Sequence, residues 1–226
     1  MATRQLLADL AAAYAESSGQ AVEIESVGGV DAAKRVQAGE AFDVVILASD
    51  AVDKLESSGH VVAGSRIDLA LSGVAVAVKA GAARPDIDSE QAVKQAVLAA
   101  STIGYSTGPS GLAVVKLFER WGISEQVNAR TVQAQPGVPV GMLVASGEVA
   151  LGFQQLSELM NLHGITVVGP LPDAIQITTT FSGGICTASR NREAVYQLLA
   201  YMASPEAAPA KQRNGMEPAP STRNNP

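Results

Sequence analysis

Apolar residues along this chain alternate between two periods, one helical and one of short continuous or alternating runs. Leu6, Leu7, Leu10, Ala13 and Tyr14 recur at helical spacing and predict a helix over 3–17, closed by Ser18-Gly19. The stretch 21–27 (AVEIESV) alternates apolar and polar residues, which predicts a strand, and Gly28-Gly29 leads from it into a short helix over 31–38. The run 42–48 (FDVVILA) has the composition of a strand covered on both faces, and 50–58 is a helix with Asp50 placed to cap it. At 66–80 (RIDLALSGVAVAVKA) the apolar run is too long for one ordinary strand, so a break is expected at Ser72-Gly73, where the chain passes from one half of the molecule into another. A helix over 89–100 follows. The stretch 101–121 (STIGYSTGPSGLAVVKLFERW) then gives a buried strand at 102–105, a loop of small residues, and a helix with Leu112, Val115, Leu117 and Phe118 on its inner side.

The second half repeats this grammar. A strand at 129–134 runs through Pro136, Gly137, Val138 and Pro139 into a helix ending near 145; a strand at 148–154 ends on Gln154-Gln155 and passes into a helix reaching 162. A strand at 165–168 precedes a second long extended run, 175–189, expected to be interrupted by Gly183-Gly184, and helices follow over 193–203 and 205–213. The end, 217–226, holds three prolines and few apolar residues and is expected to lack fixed structure. The chain opens on a helix, which is unusual for an α/β chain.

Four times, at Gly28-Gly29, 106–111, 136–139 and 154–155, a strand reaches a helix through small or polar residues. Such turns aim free backbone N–H groups at one spot and attract an anion. Their repetition, with two long strands that cross between halves, predicts an α/β chain with an open sheet in each of two lobes. One lobe is formed by 1–72 plus 180–226, the other by 73–179, with a ligand cleft between them.

Composition narrows the chemistry. The 226 residues are 47% hydrophobic but only 4% aromatic, so the core is aliphatic, as in sheets covered on both faces. A formal charge of −6 without a basic stripe argues against nucleic acid as a partner. A lone Cys186 forms no internal disulfide, and His60 and His163 make no ligand cluster of recognisable spacing, so no metal is expected. The loop 106–111 lacks the Lys of a phosphate-cradling loop, and Leu112 stands where a nucleophile elbow carries glycine, so neither an ATPase nor a hydrolase follows; no cofactor motif stands out, and none is expected. No apolar run reaches the ~18 residues that would span a membrane, and the start shows no basic-then-apolar secretion signal.

With these elements in order, 27–48 (VGGVDAAKRVQAGEAFDVVILA), 108–123 (GPSGLAVVKLFERWGI), 144–159 (VASGEVALGFQQLSEL) and 202–207 (MASPEA) resemble the type II periplasmic solute-binding proteins, most nearly their molybdate-binding branch. The resemblance runs to about Met216. It implies the two-lobe periplasmic-binding-protein type II fold and a small anion as ligand, an oxyanion such as molybdate or an organic carboxylate. It further implies a periplasmic location, although the missing signal leaves a cytoplasmic one possible, and an ABC-transporter permease as partner. Carried over by position, it places ligand contacts at Gly28, Gly29, Ser110, near Gly137 and at Gln155, with Val30, Arg35, Ser106, Thr107 and Val138 in or beside the same turns. The family's usual serine pair is replaced here by Gly28-Gly29, and its tyrosine by Gln155. The polar set that remains, Ser106, Thr107, Ser110, Gln154 and Gln155 with Arg4, Lys34 and Arg35 near the rim, suits an organic carboxylate at least as well as an oxyanion. The same superfamily includes aconitate isomerases, which interconvert cis- and trans-aconitate by proton transfer; for that chemistry Tyr105, Ser110 and Asp31 are the candidates.

Overall fold

The computed structural model describes residues 1–220. In chain order it contains α1 (Arg4–Ser18), α2 (Gly29–Gln37), β1 (Val44–Ala48), α3 (Ser49–Ser57), β2 (Ile67–Lys79), α4 (Glu90–Ala99), β3 (Ile103–Tyr105), α5 (Pro109–Arg120), α6 (Ser124–Val127), β4 (Thr131–Gln133), α7 (Val140–Ser146), β5 (Leu151–Gln155), α8 (Leu156–Leu159), β6 (Ile165–Pro170), β7 (Thr178–Ile185), α9 (Arg192–Ala203), α10 (Ala208–Arg213) and β8 (Glu217–Pro218). The chain folds as two compact units, 1–72 with 179–226 and 73–178.

In the first unit β1 pairs antiparallel with β7, with Val45 opposite Gly184, and β7 lies beside β2. Alternation along β1 divides its side chains between two layers. Val44 and Ile46 pack with Leu6, Leu10 and Tyr14 of α1 and Leu199 and Met202 of α9, whereas Val45 and Leu47 pack with Val36 of α2 and Val52 and Leu55 of α3. The interruption expected at Gly183-Gly184 does not occur: both lie inside β7, paired with Ile46 and Val45 of β1. Leu199 fills the space a side chain at 183 would need, and Val61 and Val52 fill that at 184.

In the second unit β6 and β5 flank β2 antiparallel, and β5, β3 and β4 continue the sheet in parallel. Val74, Val76 and Val78 of β2 meet α4 and α5 through Val93, Val97, Val114, Leu117 and Phe118. The small Ala75 and Ala77 on the opposite face admit Leu159 of α8. Close approach continues at α7: a Cβ on Gly152 would lie 2.5 Å from Val144, and one on Gly104 would lie 2.8 Å from Val149. Glycine at these strand positions is what lets α7 lie down on β3 and β5.

Several expectations are corrected. β2 runs unbroken through Ser72-Gly73 for 13 residues, because the Gln176 side chain packs 3.2 Å from where a Cβ on Gly73 would be and its Oε1 accepts the Val74 N–H at 2.9 Å. On α5 the inner face is Val114, Leu117 and Phe118, and Leu112 is exposed. α8 stops at Leu159, well short of 162. At the end of the chain Glu217–Pro218 pairs with Leu71 and Ala70 of β2, where composition predicts no structure; 221–226 lie outside the described residues. Finally, 21–27 forms no strand. Alternation alone does not make one; a ladder partner does, and β1 pairs only with β7 among the described residues.

Candidate functional site

Three adjacent parallel strands of the second unit end at the same edge. Tyr105, the last residue of β3, stands opposite Gln133 at the end of β4 and Phe153 near the end of β5. From this edge the chain turns into α5, α7 and α8, so the segments 106–108, 134–139 and the junction at Gln155 come together there. Ligands of open α/β sheets bind at such carboxyl ends.

The turn into α5 is the most constrained of the three. Gly108 caps the helix in an extended conformation and Pro109 opens it, fixing the entry angle without needing a donor. Ser110 and Gly111 lie in the first turn, where backbone N–H groups have no carbonyl partner within the helix. The Ser110 hydroxyl is buried, only 5% of the residue being exposed, and its Oγ lies 3.5 Å from Ser106 Oγ. Gly111 packs directly on the Ser106 backbone. Two hydroxyls and the first-turn amides of a 12-residue helix are thereby held in one place. Thr107, between them, is exposed.

At the neighbouring turn Gly137 has φ +81°, which a side chain would strain, and the Val138 N–H donates to Gln135 O at 2.9 Å. The Val138 amide is therefore spent within the turn. Gln155 is buried at the end of β5, opposite Val74. Gln154, also buried, accepts the Gly141 N–H at 3.2 Å through Oε1 and donates from Nε2 to Glu158 at 2.8 Å. It ties the start of α7 to α8. Tyr105 is half-buried against the core of this unit.

The remaining candidates belong to the first unit. Gly28 caps α2 and Gly29 begins it, while Val30 is 68% exposed. The Asp31 Oδ2 stands 3.4 Å from where a Cβ on Gly28 would project, so the carboxylate folds back over the helix start. Arg35 lies in the last turn of α2, about 9 Å along the helix axis from Gly29. Its guanidinium bridges Glu25 at 2.5 Å and Glu40 at 2.7 Å and stacks over the Phe42 ring at 4.8 Å. Hydrogen bonds to Glu40 and Glu25 raise its pKa further, and the bond from Arg35 holds the Glu25 carboxyl below the usual carboxylate value. The structure thus gathers Ser106, Ser110 and the α5 amides, and commits Arg35 to two carboxylates. Among the described residues no group of three or more His, Cys, Asp or Glu could hold a metal ion. No helix among them is long and apolar enough to cross a membrane.

Comparison with known proteins bears on this geometry. Residues 1–217 match the family model described as bacterial extracellular solute-binding protein. An aconitate isomerase from a Pseudomonas species is 39% identical over 218 residues, covering 94% of this chain and 83% of its own length. A molybdate-binding protein of Azotobacter vinelandii is 29% identical over 183 residues, covering 76% of this chain and 69% of its own length. Among solved structures, the periplasmic molybdate-binding protein of Azotobacter vinelandii superposes with a TM-score of 0.78 at 23% identity, covering 97% of this chain and 96% of that one. That likeness establishes the two-lobe type II periplasmic-binding-protein fold.

Proposed function

We propose, from the premise that this chain belongs to the bacterial extracellular solute-binding protein family, that it binds a small organic polycarboxylate of the aconitate type. The observation that carries this reading is the meeting of Ser106 Oγ, Ser110 Oγ and the α5 start at the carboxyl edge of three parallel strands. A helix start carries roughly half a positive charge, and each oriented donor contributes on the order of 1 kcal/mol to a bound anion. With a net charge of −6 the chain repels anions at long range, so such short-range donors must supply the selectivity. A carboxylate is favoured over a tetrahedral oxyanion because the aconitate isomerase is similar to more of this chain, and at higher identity, than the molybdate-binding protein. Titration calorimetry with cis-aconitate, trans-aconitate and molybdate tests it. Heat from the aconitates, weakened in Ser110→Ala, supports the assignment; binding of molybdate alone, or of neutral sugars, overturns it.

The same 39% identity favours a second reading, in which the bound tricarboxylate is isomerised. A base would take a proton from the methylene carbon, the double bond would shift, and a proton would return to the far carbon, so the balance closes without a redox partner. Tyr105 and Ser110 in one unit and Asp31 in the other are the candidates. Chromatography of cis-aconitate incubated with the pure protein separates the readings. Appearance of the trans isomer, lost in Ser110→Ala or Tyr105→Phe, makes the chain an isomerase. Tight binding without conversion leaves a periplasmic binding protein that hands its anion to an ABC-transporter permease.

A further inference from the structure

The first unit holds one pair of neighbours whose chemistry the binding of an anion does not use. Asn214-Gly215 is the only Asn-Gly in the sequence. Asparagine is thermolabile, and glycine after it leaves the next backbone nitrogen least hindered for attack on the side-chain amide carbon. The pair stands at the end of α10 for a conformational reason. Gly215 has φ +68°, its N–H donates to Gln212 O at 3.0 Å, and the Met216 N–H donates to Lys211 O at 3.0 Å. These are the two backbone bonds of a Schellman ending, with Asn214 as the cap and a left-handed residue after it. The helix stop thus calls for glycine at the very position that makes Asn214 reactive.

The same stop holds the reaction off. Asn214 is only 5% exposed, and its Nδ2 spends both hydrogens, on Asp9 Oδ2 of α1 at 2.8 Å and on Ala210 O at 2.9 Å. The Gly215 nitrogen is committed to Gln212. At ψ +16° that nitrogen nearly eclipses the backbone nitrogen of Asn214 about the Cα–C bond, whereas closing a five-membered ring needs it beside Cβ. The chain just beyond is tied down as well, Glu217 and Pro218 pairing with Leu71 and Ala70 of β2. Attack therefore requires a local opening, in which this end of the chain comes away from α1 and β2.

We propose that Asn214-Gly215 is a gated deamidation site, silent while α10 is docked on α1 and modified when this end of the chain detaches. The Gly215 nitrogen gives its proton to solvent and bonds to Asn214 Cγ; the Cγ–Nδ2 bond breaks, and Nδ2 takes up a proton and leaves as ammonia. Water then opens the succinimide at either carbonyl, giving aspartate or isoaspartate with no change in oxidation state. Neither product fits the old seat. A carboxylate at 214 meets the Asp9 carboxylate with no hydrogen to offer, and it loses the bond to Ala210 O. Isoaspartate also adds a methylene to the main chain, which spoils the spacing of the bonds to Gln212 and Lys211. An opening that ends in deamidation is thus permanent, whichever anion the protein binds.

Peptide mapping by mass spectrometry, after incubation of residues 1–226 in mildly alkaline buffer with and without denaturing urea, measures the gate. Conversion at 214 is expected to run roughly tenfold or more slowly in the folded protein than in urea, and faster in folded Asp9→Ala than in the folded parent. Equal rates in either comparison would overturn the proposal. Asn214→Asp is expected to lower the melting temperature by several degrees and to speed amide exchange over 208–219. In Asp9→Asn/Asn214→Asp, where the donor has changed sides, part of that loss should return; if Asn214→Asp alone does not fold, this double variant and the conversion rates decide. Asn214→Asp melting at or above the parent, as pairing of the new carboxylate with the buried Lys211 would produce, also overturns it.

Discussion

Gly111 packs so closely on Ser106 that a Cβ at position 111 would overlap the Ser106 carbonyl oxygen. The obstacle is backbone, which cannot swing aside as a side chain can. Gly111→Ala is therefore expected to displace the 106–110 turn, destabilise the protein by about 1–3 kcal/mol, and weaken anion binding more than Ser106→Ala does. Denaturant melts and calorimetry on the two variants check this.

Gln154 braces the start of α7 against α8. Gln154→Leu preserves bulk but leaves the buried Gly141 N–H without its acceptor and Glu158 without its donor, at an expected cost of about 1–3 kcal/mol. Stability should fall first, with affinity following only insofar as α7 shifts. A drop in affinity at unchanged stability would place Gln154 on the ligand instead.

Arg35 provides the opposite contrast. Because its guanidinium is held by Glu25 and Glu40, Arg35→Gln should leave anion affinity unchanged in calorimetry while loosening the 21–42 region, seen as faster amide exchange there. A large loss of affinity would return Arg35 to the binding site.

Lys211 is wholly buried in the first unit, and its Nζ has no hydrogen-bond partner among the described residues. Burial pushes its pKa below the ordinary 10.5, so the unfolded chain binds more protons between the folded value and 10.5, and stability rises as pH climbs through that window. Below the folded value the penalty is complete. Lys211→Met should stabilise the protein at neutral pH by about 1–4 kcal/mol, with the advantage shrinking toward alkaline pH. Thermal melts across pH for both proteins measure the convergence.

The single tryptophan reports on one carboxylate. Trp121 Nε1–H donates to Glu90 Oε1 at 2.6 Å, and Arg120 adds a second bond at 2.8 Å. Both hold Glu90 below its ordinary 4.5, the indole bond most strongly. Its stabilising contribution is present above 4.5 and is lost as pH falls through the lower folded value. Trp121 fluorescence should change in that acid range, and Glu90→Gln should abolish the change.

What the sequence announced and what it withheld divide along local and distant causes. The β1 and β5 strands, the α4 and α5 helices and the small-residue turn at 106–111 are written in composition and period. The state of 21–27 was not, since AVEIESV alternates like a strand and only its neighbours decide whether a ladder forms. Continuity of β2 through Gly73 depends on Gln176, far along the chain, and the placement of Glu217–Pro218 depends on β2. Leu112 lies off the buried face formed by Val114, Leu117 and Phe118, and which face of α5 is covered is decided by the strands it packs on. The engagement of Arg35 with Glu25 and the burial of Lys211 are tertiary outcomes for which no spacing stood as a signal.

The Ser182 hydroxyl donates to Asp68 Oδ1 at 2.6 Å although the two residues are 114 positions apart, and the rings of Tyr14 and Tyr201 lie 5.3 Å from each other. The first unit is thus built from two separate stretches of the sequence and the second from one. On the ribosome, 73–178 holds every residue of its own core as soon as it has emerged, whereas Leu6, Leu10 and Tyr14 must wait for Leu199 and Met202. At about 5–20 residues per second that delay is on the order of 10 seconds. During it α1 lacks its α9 partners, so the Leu6, Leu10 and Tyr14 face is where nascent-chain chaperones find an extended opportunity.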